Sequence, residues 1–425
     1  MKEFLKTKYL LVLLLAAAFI VYRSVQISMF EESDRRNFMR GDAYSDINLY
    51  SAVHHFNDSG LTNTFGLPVH YYKVPLKDST LKVTAYTHYP ALPDVLAYAY
   101  SKILSSQKEV LLRLPVVLLS LFYAFLIFVF LHQIVENKQI VWLSWLLIMV
   151  SNYYLGWSDS LHKHVYEELL KCVFILLLLR YDKTQSIWAL LGMFLTMLTV
   201  ANVSFEPIVF LAVICVGYSW YKHKKIFSAI TLMPAAAAVL GVGLHFAQNI
   251  GYFGSLDAAL FDLTETARLR AAGIETSGPM VKLEQVFGLK EWLSLPFVWL
   301  NRAERFFPIP AFALIAMGLF AYQRCKQNIS KTHVFWSALL LIASFSWCLA
   351  MGQHAYVHAF TMRQAGLFYA LISGTLLYYF WQELKTTFQN NQRLKFALGI
   401  LILLYAAAMF ATQHIWDLWV MNTFG

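Results

Sequence analysis

About eleven apolar runs divide this chain from end to end, at about residues 9–28, 114–135, 140–157, 167–180, 186–203, 206–221, 226–246, 308–322, 334–350, 364–382 and 395–413. Roughly 20 consecutive apolar residues carry a helix across a bilayer. A backbone in hydrocarbon must satisfy its polar groups internally. The expected fold class is therefore an all-α polytopic membrane protein with about 11 transmembrane helices. Composition agrees, with 58% hydrophobic and only 14% charged residues, against roughly 25% charged in a soluble domain. The 12 Trp and 24 Tyr suit rings that sit at membrane–water interfaces.

Charge placement sets the orientation. Lys2, Lys6 and Lys8 precede the first run, which continues through Phe19-Ile20-Val21-Tyr22 and so reads as an uncleaved anchor rather than a signal peptide. Threading the chain alternately puts Glu136-Asn137-Lys138, Arg180 to Lys183, Lys222 to Lys225, Arg324-Cys325-Lys326 and Lys385 to Lys395 on the side of the N-terminus. That is the positive-inside arrangement, with the N-terminus cytoplasmic and the C-terminus extracytoplasmic. The net charge of +9 is thus a topology signal, and no nucleic-acid partner is implied. A multi-pass protein of a bacterial inner membrane is expected. The run 167–180 is short and carries Lys171, so its helix must extend or tilt at one end.

The chain reads as one membrane-embedded domain, 1–425, carrying two long extracytoplasmic segments, 30–112 and 246–307. Short external loops lie around Ser158 to His164, Asn202 to Glu206 and Gly352 to Arg363. No Gly-rich Lys-Ser/Thr nucleotide loop is present. Cys172, Cys215, Cys325 and Cys348 have neither disulfide nor metal spacing and read as small apolar residues.

The first long segment carries the most chemistry. Arg40 to Val53 reads as a loop entering a helix, capped by Asp42 or Ser45 and stopped near Gly60. Asp46 falls on one stripe with Leu49, Val53 and Phe56, with Tyr50 beside it. A carboxylate on an apolar face must be satisfied or used, so catalysis competes with capping or a local ion pair at Asp46, while capping is the stronger reading for Asp42. Pro93 opens a second helix with an apolar face of Leu92, Val95, Leu96, Ala99 and Ile103, lying along the membrane surface. His88, in the preceding turn, lines a substrate groove or lies on the surface.

Elsewhere, Asp159, His162, His164, Glu167 and Glu168 form a cluster that is either a metal site or, better, a solvated helix start, since zinc spacings are missing. Glu206 before Pro207 is explained by helix-start capping. Arg302 and Arg305 read as snorkelling to head groups. In the second long segment, Leu283, Phe287, Trp292 and Leu295 predict a surface helix; the segment reads first as a cover over a lipid-filled cleft, with an acceptor-binding loop as the alternative.

The order of landmarks carries a resemblance: an anchor span, Asp46 followed four residues later by Tyr50, an exit at Ser59-Gly60, the segment His88-Tyr89-Pro90, an amphipathic helix, then Arg113-Leu114-Pro115 into a span. Over about residues 1–180 this resembles the membrane glycosyltransferases of the C-type fold, which include protein O-mannosyltransferases and the bacterial lipid A aminoarabinose transferase. The resemblance implies a sugar donor on a polyprenyl phosphate, an extracytoplasmic acceptor and Asp46 as general base. Many members carry a second acid where this chain has Ile47, and Asp42 is the carboxylate that could replace it. No cofactor is required by these residues; a divalent metal is what the resemblance admits. Some relatives place another acid in the later loop, which would bring Asp159 or Glu167 to the acceptor. Cations for the departing lipid phosphate would come from Arg113, Arg268, Arg270, Arg302, Arg305 or Arg363, and the segment His358 to Arg363 stands where relatives contact that phosphate. A transporter or flippase and an envelope polysaccharide polymerase or ligase are the competing classes. Transporters often show paired halves, and no repeat is evident here.

Overall fold

Helices form where apolar runs meet capping residues, and the breaks between them are equally local. The computed structural model describes residues 10–21, 43–73, 84–272, 287–387 and 400. In chain order the helices are α1 (Leu10–Val21), α2 (Ala43–Ser59), α3 (Leu92–Ile103), α4 (Glu109–Ile134), α5 (Lys138–Met149), α6 (Asn152–Leu155), α7 (His164–Thr184), α8 (Ile187–Val203) and α9 (Glu206–His223). They continue with α10 (Ala229–Phe253), α11 (Leu256–Ala272), α12 (Leu289–Phe306), α13 (Ala311–Phe320), α14 (Tyr322–Asn328), α15 (Lys331–Ala350), α16 (Gly352–Val357) and α17 (Gly366–Thr387), with a 3₁₀ segment at Ala359–Ala365. Among the described residues the one extended pairing is a bridge between Val69 and Ala85, which closes the base of the first long loop.

Caps fix several starts. The Asn137 side chain accepts from the N–H groups of Gln139 and Ile140 to open α5, Ser228 and Thr231 make a capping box for α10, and Ser330 caps α15. Helix α2 stops at Gly60, whose φ of +80° a residue with a side chain rarely adopts. Packing pairs α10 with α8, α17 with α5, α7 with α8, α15 with α9 and α4 with α7. Val12, Ala16 and Ile20 bury one face of α1 against this core.

By length and composition three helices can cross a membrane: Val110–Ile134, Ala229–Phe253 and Lys331–Ala350. Shorter apolar helices are Leu10–Val21, Lys138–Met149, Ile187–Val203 and Ala311–Phe320. Exposed apolar stripes lie opposite buried ones. On α4, Leu114, Leu118 and Phe122 face outward; on α12, Leu289, Leu293, Phe297 and Leu300 do, while Leu295, Trp299, Ala303 and Phe306 are buried. A helix apolar on both sides is one that packs on protein and on lipid at once.

Four readings from the sequence are corrected or extended. The run 140–157 is no continuous helix, because the chain turns at Val150-Ser151 and re-enters as the single turn α6. Helix α7 extends the short run 167–180 at both ends. On α3 the inward face is Pro93, Asp94, Ala97 and Ser101, while Ile103 of the expected apolar stripe is exposed. Leu92 and Leu96 of the same stripe pack, partly buried, on the cluster of Leu49 and Val53, so the stripe is divided between protein and the outer surface. The helix expected near 283–295 begins at Leu289; Leu283, and the last apolar run apart from Ile400, lie outside the described residues.

Close approach depends on small residues. A Cβ at Gly374 of α17 would stand 2.5 Å from the backbone nitrogen of Ser144 on α5, whereas one at Gly243 would meet nothing within 4 Å. Gly374→Ala should cost about 1–3 kcal/mol through overpacking. Gly243→Ala should be neutral or stabilising by up to ~1 kcal/mol through helix propensity. Thermal unfolding of both variants in detergent checks the contrast; equal melting temperatures would contradict the close α5–α17 contact.

Candidate active site

The break after α5 creates the site. Without a continuous helix, residues 150–163 need other partners for their backbone, and buried side chains supply them. Ser120 of α4 donates to the Ser158 carbonyl. Tyr154 donates back to the Ser120 carbonyl at 3.0 Å, and Ser158 to the Leu155 carbonyl at 3.1 Å. This pinned segment carries polar groups into the entrance of α7, where Asp159, Ser160, Lys163, His164, Glu167 and Glu168 are all buried.

Asp46, on the buried stripe of α2, meets this segment. Arg113 Nη1 donates to Asp46 Oδ2 at 2.9 Å, Ser160 Oγ to Oδ1 at 2.9 Å, and the His162 N–H to Oδ1 at 3.2 Å. Arg113 also donates to the Asp159 carbonyl at 2.6 Å and lies 3.9 Å from its carboxylate. Charge-assisted bonds of this kind are the strong ones. They lock α2, α4 and the α6–α7 loop together around one carboxylate.

A second network begins at the next residue. Lys163 Nζ donates to Glu206 Oε1 at 2.7 Å, lies 3.5 Å from Glu167, and sits 4.1 Å from the centre of the Tyr89 ring. Trp347 can only donate, so its Nε1–H, 3.1 Å from His354 Nδ1, makes that nitrogen the acceptor. The imidazole proton then sits on Nε2 and is donated to Tyr89 Oη at 2.9 Å, and Tyr89 in turn donates to Glu206 at 3.3 Å. Burial pushes His354 well below its usual range, with Arg270, His358 and Lys163 adding to the effect, so the ring is neutral. Burial also opposes the Lys163 charge, but Glu206, Tyr89 and Glu167 outweigh it and hold the ammonium above its usual value. A chain Trp347–His354–Tyr89–Glu206–Lys163 thus joins four loops, around residues 89, 163, 206 and 354, that are far apart in sequence.

Deeper along α7, Glu168 accepts from Tyr153 at 2.6 Å and from Lys171 at 2.8 Å, and Lys171 donates to Gln364 at 3.0 Å. Beside Gln364, the buried Arg363 guanidinium lies 4.5 Å from the Trp157 ring centre and 5.4 Å from that of Tyr153. Its Nε and Nη1 have no hydrogen-bond partner among the described residues. A buried guanidinium with donors to spare is a built place for an anion.

No protein-family profile and no curated protein sequence matches the chain. Solved structures do. The oligosaccharyltransferase of Archaeoglobus fulgidus, in complex with Zn and sulfate, aligns at a TM-score of 0.50 and 14% identity, covering 95% of this chain and 52% of that one. The same organism's oligosaccharyltransferase AglB, in complex with an inhibitory peptide and a dolichol-phosphate, aligns at 0.48 and 13% identity over 96% of this chain and 56% of that one. The likeness is one of fold, shared with that archaeal oligosaccharyltransferase and consistent with the C-type resemblance read from the sequence. This chain spans about half the length of the solved structures it matches.

On this fold the residues singled out in the sequence separate into groups. Asp46 and Asp159 meet at Arg113, and Glu167 meets Lys163. Arg363 lies over Tyr153 and Trp157, while His358 lies 4.6 Å from His354 and 5.0 Å from Phe360, ring to ring. Arg270 sits 4.2 Å from the Tyr89 ring centre and donates to the His88 carbonyl at 3.2 Å, docking α11 onto the first loop. The His88 ring faces Asp262 at 3.4 Å. Tyr50 turns toward a groove between α2 and the end of α3. Arg268 is exposed and paired with Glu265, apart from the buried cluster. Asp42 lies outside the described residues, as does the Arg305 side chain. Arg302 donates to the carbonyls of Ala355 and His358, capping α16 rather than reaching head groups.

Two readings fail for one reason. The start of α7 is not solvated, and Glu206 is not a mere cap: both are buried and bonded across helices. Sequence reasoning passed over Lys163, Tyr89 and His354 as parts of a site, and placed Glu168 in the cluster without its partner Lys171. The available signal was Lys171 with an acid three residues earlier inside an apolar run, a costly placement that marks a paired and used group. For the metal that the resemblance admits, no group of three or more His, Cys, Asp or Glu among the described residues could hold an ion. The partners given for Asp46 are all hydrogen-bond donors.

Asp94 was also unforeseen. It is buried on the inner face of α3 with Oδ1 unpartnered among the described residues, and burial pushes its carboxyl up to about 7, against a pull from its own backbone N–H. The folded state therefore holds this proton more tightly than the unfolded chain, whose carboxyl titrates near 3.8. Stability from this group is complete below pH ~4 and is lost as pH rises toward 7, by on the order of 4 kcal/mol. Asp94→Asn should remove that loss, melting higher than wild type at pH 8 with the gap closing near pH 4. A gap independent of pH would contradict a protonated Asp94.

Proposed function

We propose that this chain transfers a sugar from a polyprenyl-phosphate carrier to a hydroxyl acceptor at the extracytoplasmic membrane face. The observation that carries the reading is Arg363: a buried guanidinium on an aromatic floor, with two nitrogens unpartnered among the described residues, on a fold shared with a membrane oligosaccharyltransferase. In the reaction the acceptor oxygen attacks the anomeric carbon while the carbon–oxygen bond to the phosphate breaks. The lipid phosphate leaves with the bonding electrons, and Asp46 takes the acceptor's proton. Attack opposite the leaving group inverts the sugar carbon.

The leaving phosphate gains charge as the bond breaks, and fixed donors in a dry site stabilise such charge best. Arg363 supplies donors of that kind. Ser160, His162 and Arg113 hold Asp46 in one orientation, which favours a positioned base. Positioned acid–base help contributes roughly 10²–10⁴-fold. The positive-inside pattern supports about eleven crossings, with the acids on the outer side.

Two variants test this in purified protein with a labelled polyprenyl-phosphate sugar. Asp46→Asn should lower acceptor-dependent release of lipid phosphate at least ~100-fold, with thermal unfolding showing that the protein still folds; full activity would remove the assignment. Arg363→Ala should raise the KM for the donor more than it lowers kcat. An unchanged donor KM would place the phosphate elsewhere.

A further inference from the structure

A groove of about 640 Å³ opens between α2 and the segment joining α3 to α4. Its one wall is Tyr50 and Asn57 of α2; the other carries Ser101, then Lys102 and Lys108 with Ser105, Ser106 and Gln107 between them. The lining has two cations and no carboxylate. Neither lysine has an ion-pair partner among the described residues, although Lys102 rests over the Tyr98 ring at 5.1 Å. Asn57 donates to Ser101 at 3.1 Å across the floor, tying the walls together. Tyr50 stands four residues, about 6 Å of helix rise, beyond Asp46, and Asn57 about 16 Å beyond it.

We propose that this groove seats the acceptor, and that the acceptor is an anionic glycan. This rests on the transferase reading above and extends it to a substrate class. Hydroxyl and amide groups spaced along a wall match the hydroxyls of a sugar chain. An aromatic ring at the catalytic end offers a face for a sugar ring. Two lysines without a facing acid select a carboxylate, sulfate or phosphate substituent. The axis of α2 runs from the groove to Asp46, so a chain lying along it directs one end toward the base.

Binding, rather than turnover, tests the proposal. With the full chain in phosphatidylcholine nanodiscs, tetragalacturonate and maltotetraose are titrated calorimetrically as acidic and neutral probes of equal length. The acidic probe should bind at least fivefold tighter, and Lys102→Gln with Lys108→Gln should erase that preference. Lys224→Gln with Lys225→Gln, which removes the same charge from exposed positions elsewhere, should leave it intact. Equal affinity for the two probes overturns the proposal, as does a preference that survives loss of Lys102 and Lys108 or falls equally in the control pair. Loss of the preference in nanodiscs containing phosphatidylglycerol assigns the lysines to lipid head groups and overturns it too. Absence of transfer from any donor would sink the enzymatic reading without changing the titration, so the two failures are distinguishable.

Discussion

Arg113 between Asp46 and Asp159 is the contact on which the docking of the first long loop depends. It belongs to α4, one of the helices long and apolar enough to cross a membrane, and reaches both the first-loop helix and the loop before α7. A buried guanidinium cannot be left unpaired without a large penalty, and neither can the carboxylate facing it. The pair therefore requires α2 to dock, and a docked α2 fixes where Asp46 and Tyr50 stand. Apolar packing of Leu49, Val53, Leu161 and Val165 adds stability to the same interface but little direction.

The charged groups are layered along α7. Lys163 at its entrance lies between Glu167 and Glu206; Glu168 and Lys171, less than two turns on, reach Tyr153 and Gln364. The cations of each layer are bonded to neighbours, and Arg363 differs in being a buried cation with donors unpartnered among the described residues. Closed networks hold geometry, whereas an open cation invites an anion. That contrast, more than the number of charges, separates scaffold from candidate binding group.

The outer elements serve the inner ones. Thr87 and His88 bond to Asp262 of α11, and the Thr87 carbonyl meets His245 and Asn249 of α10. The second long segment is thus clamped on the first, close to Tyr89. Arg302 secures α16 and with it His354, so the late loop that ends in Arg363 is held at its start. The Thr87 contacts span 158 to 175 positions of the chain and those of Arg302 span 53 to 56.

The sequence by itself determined most of the helices, the basic character of alternate loops, and the exceptional acid on α2. Each follows from local rules: hydrocarbon admits only self-satisfied backbone, and an apolar stripe at helical period shows its own intruder, as Leu49, Val53 and Phe56 show Asp46. It also showed Lys171 as an oddity without naming its partner. The tertiary structure decided which charges are buried together. Glu206 looked like a cap because its pairing with Lys163 spans 43 positions, and His354 looked like a loop residue because Tyr89 lies 265 positions away. Periodicity reports which face of a helix is apolar, but the face that meets protein rather than lipid depends on neighbours. For that reason α3 turned Asp94 inward and Ile103 out.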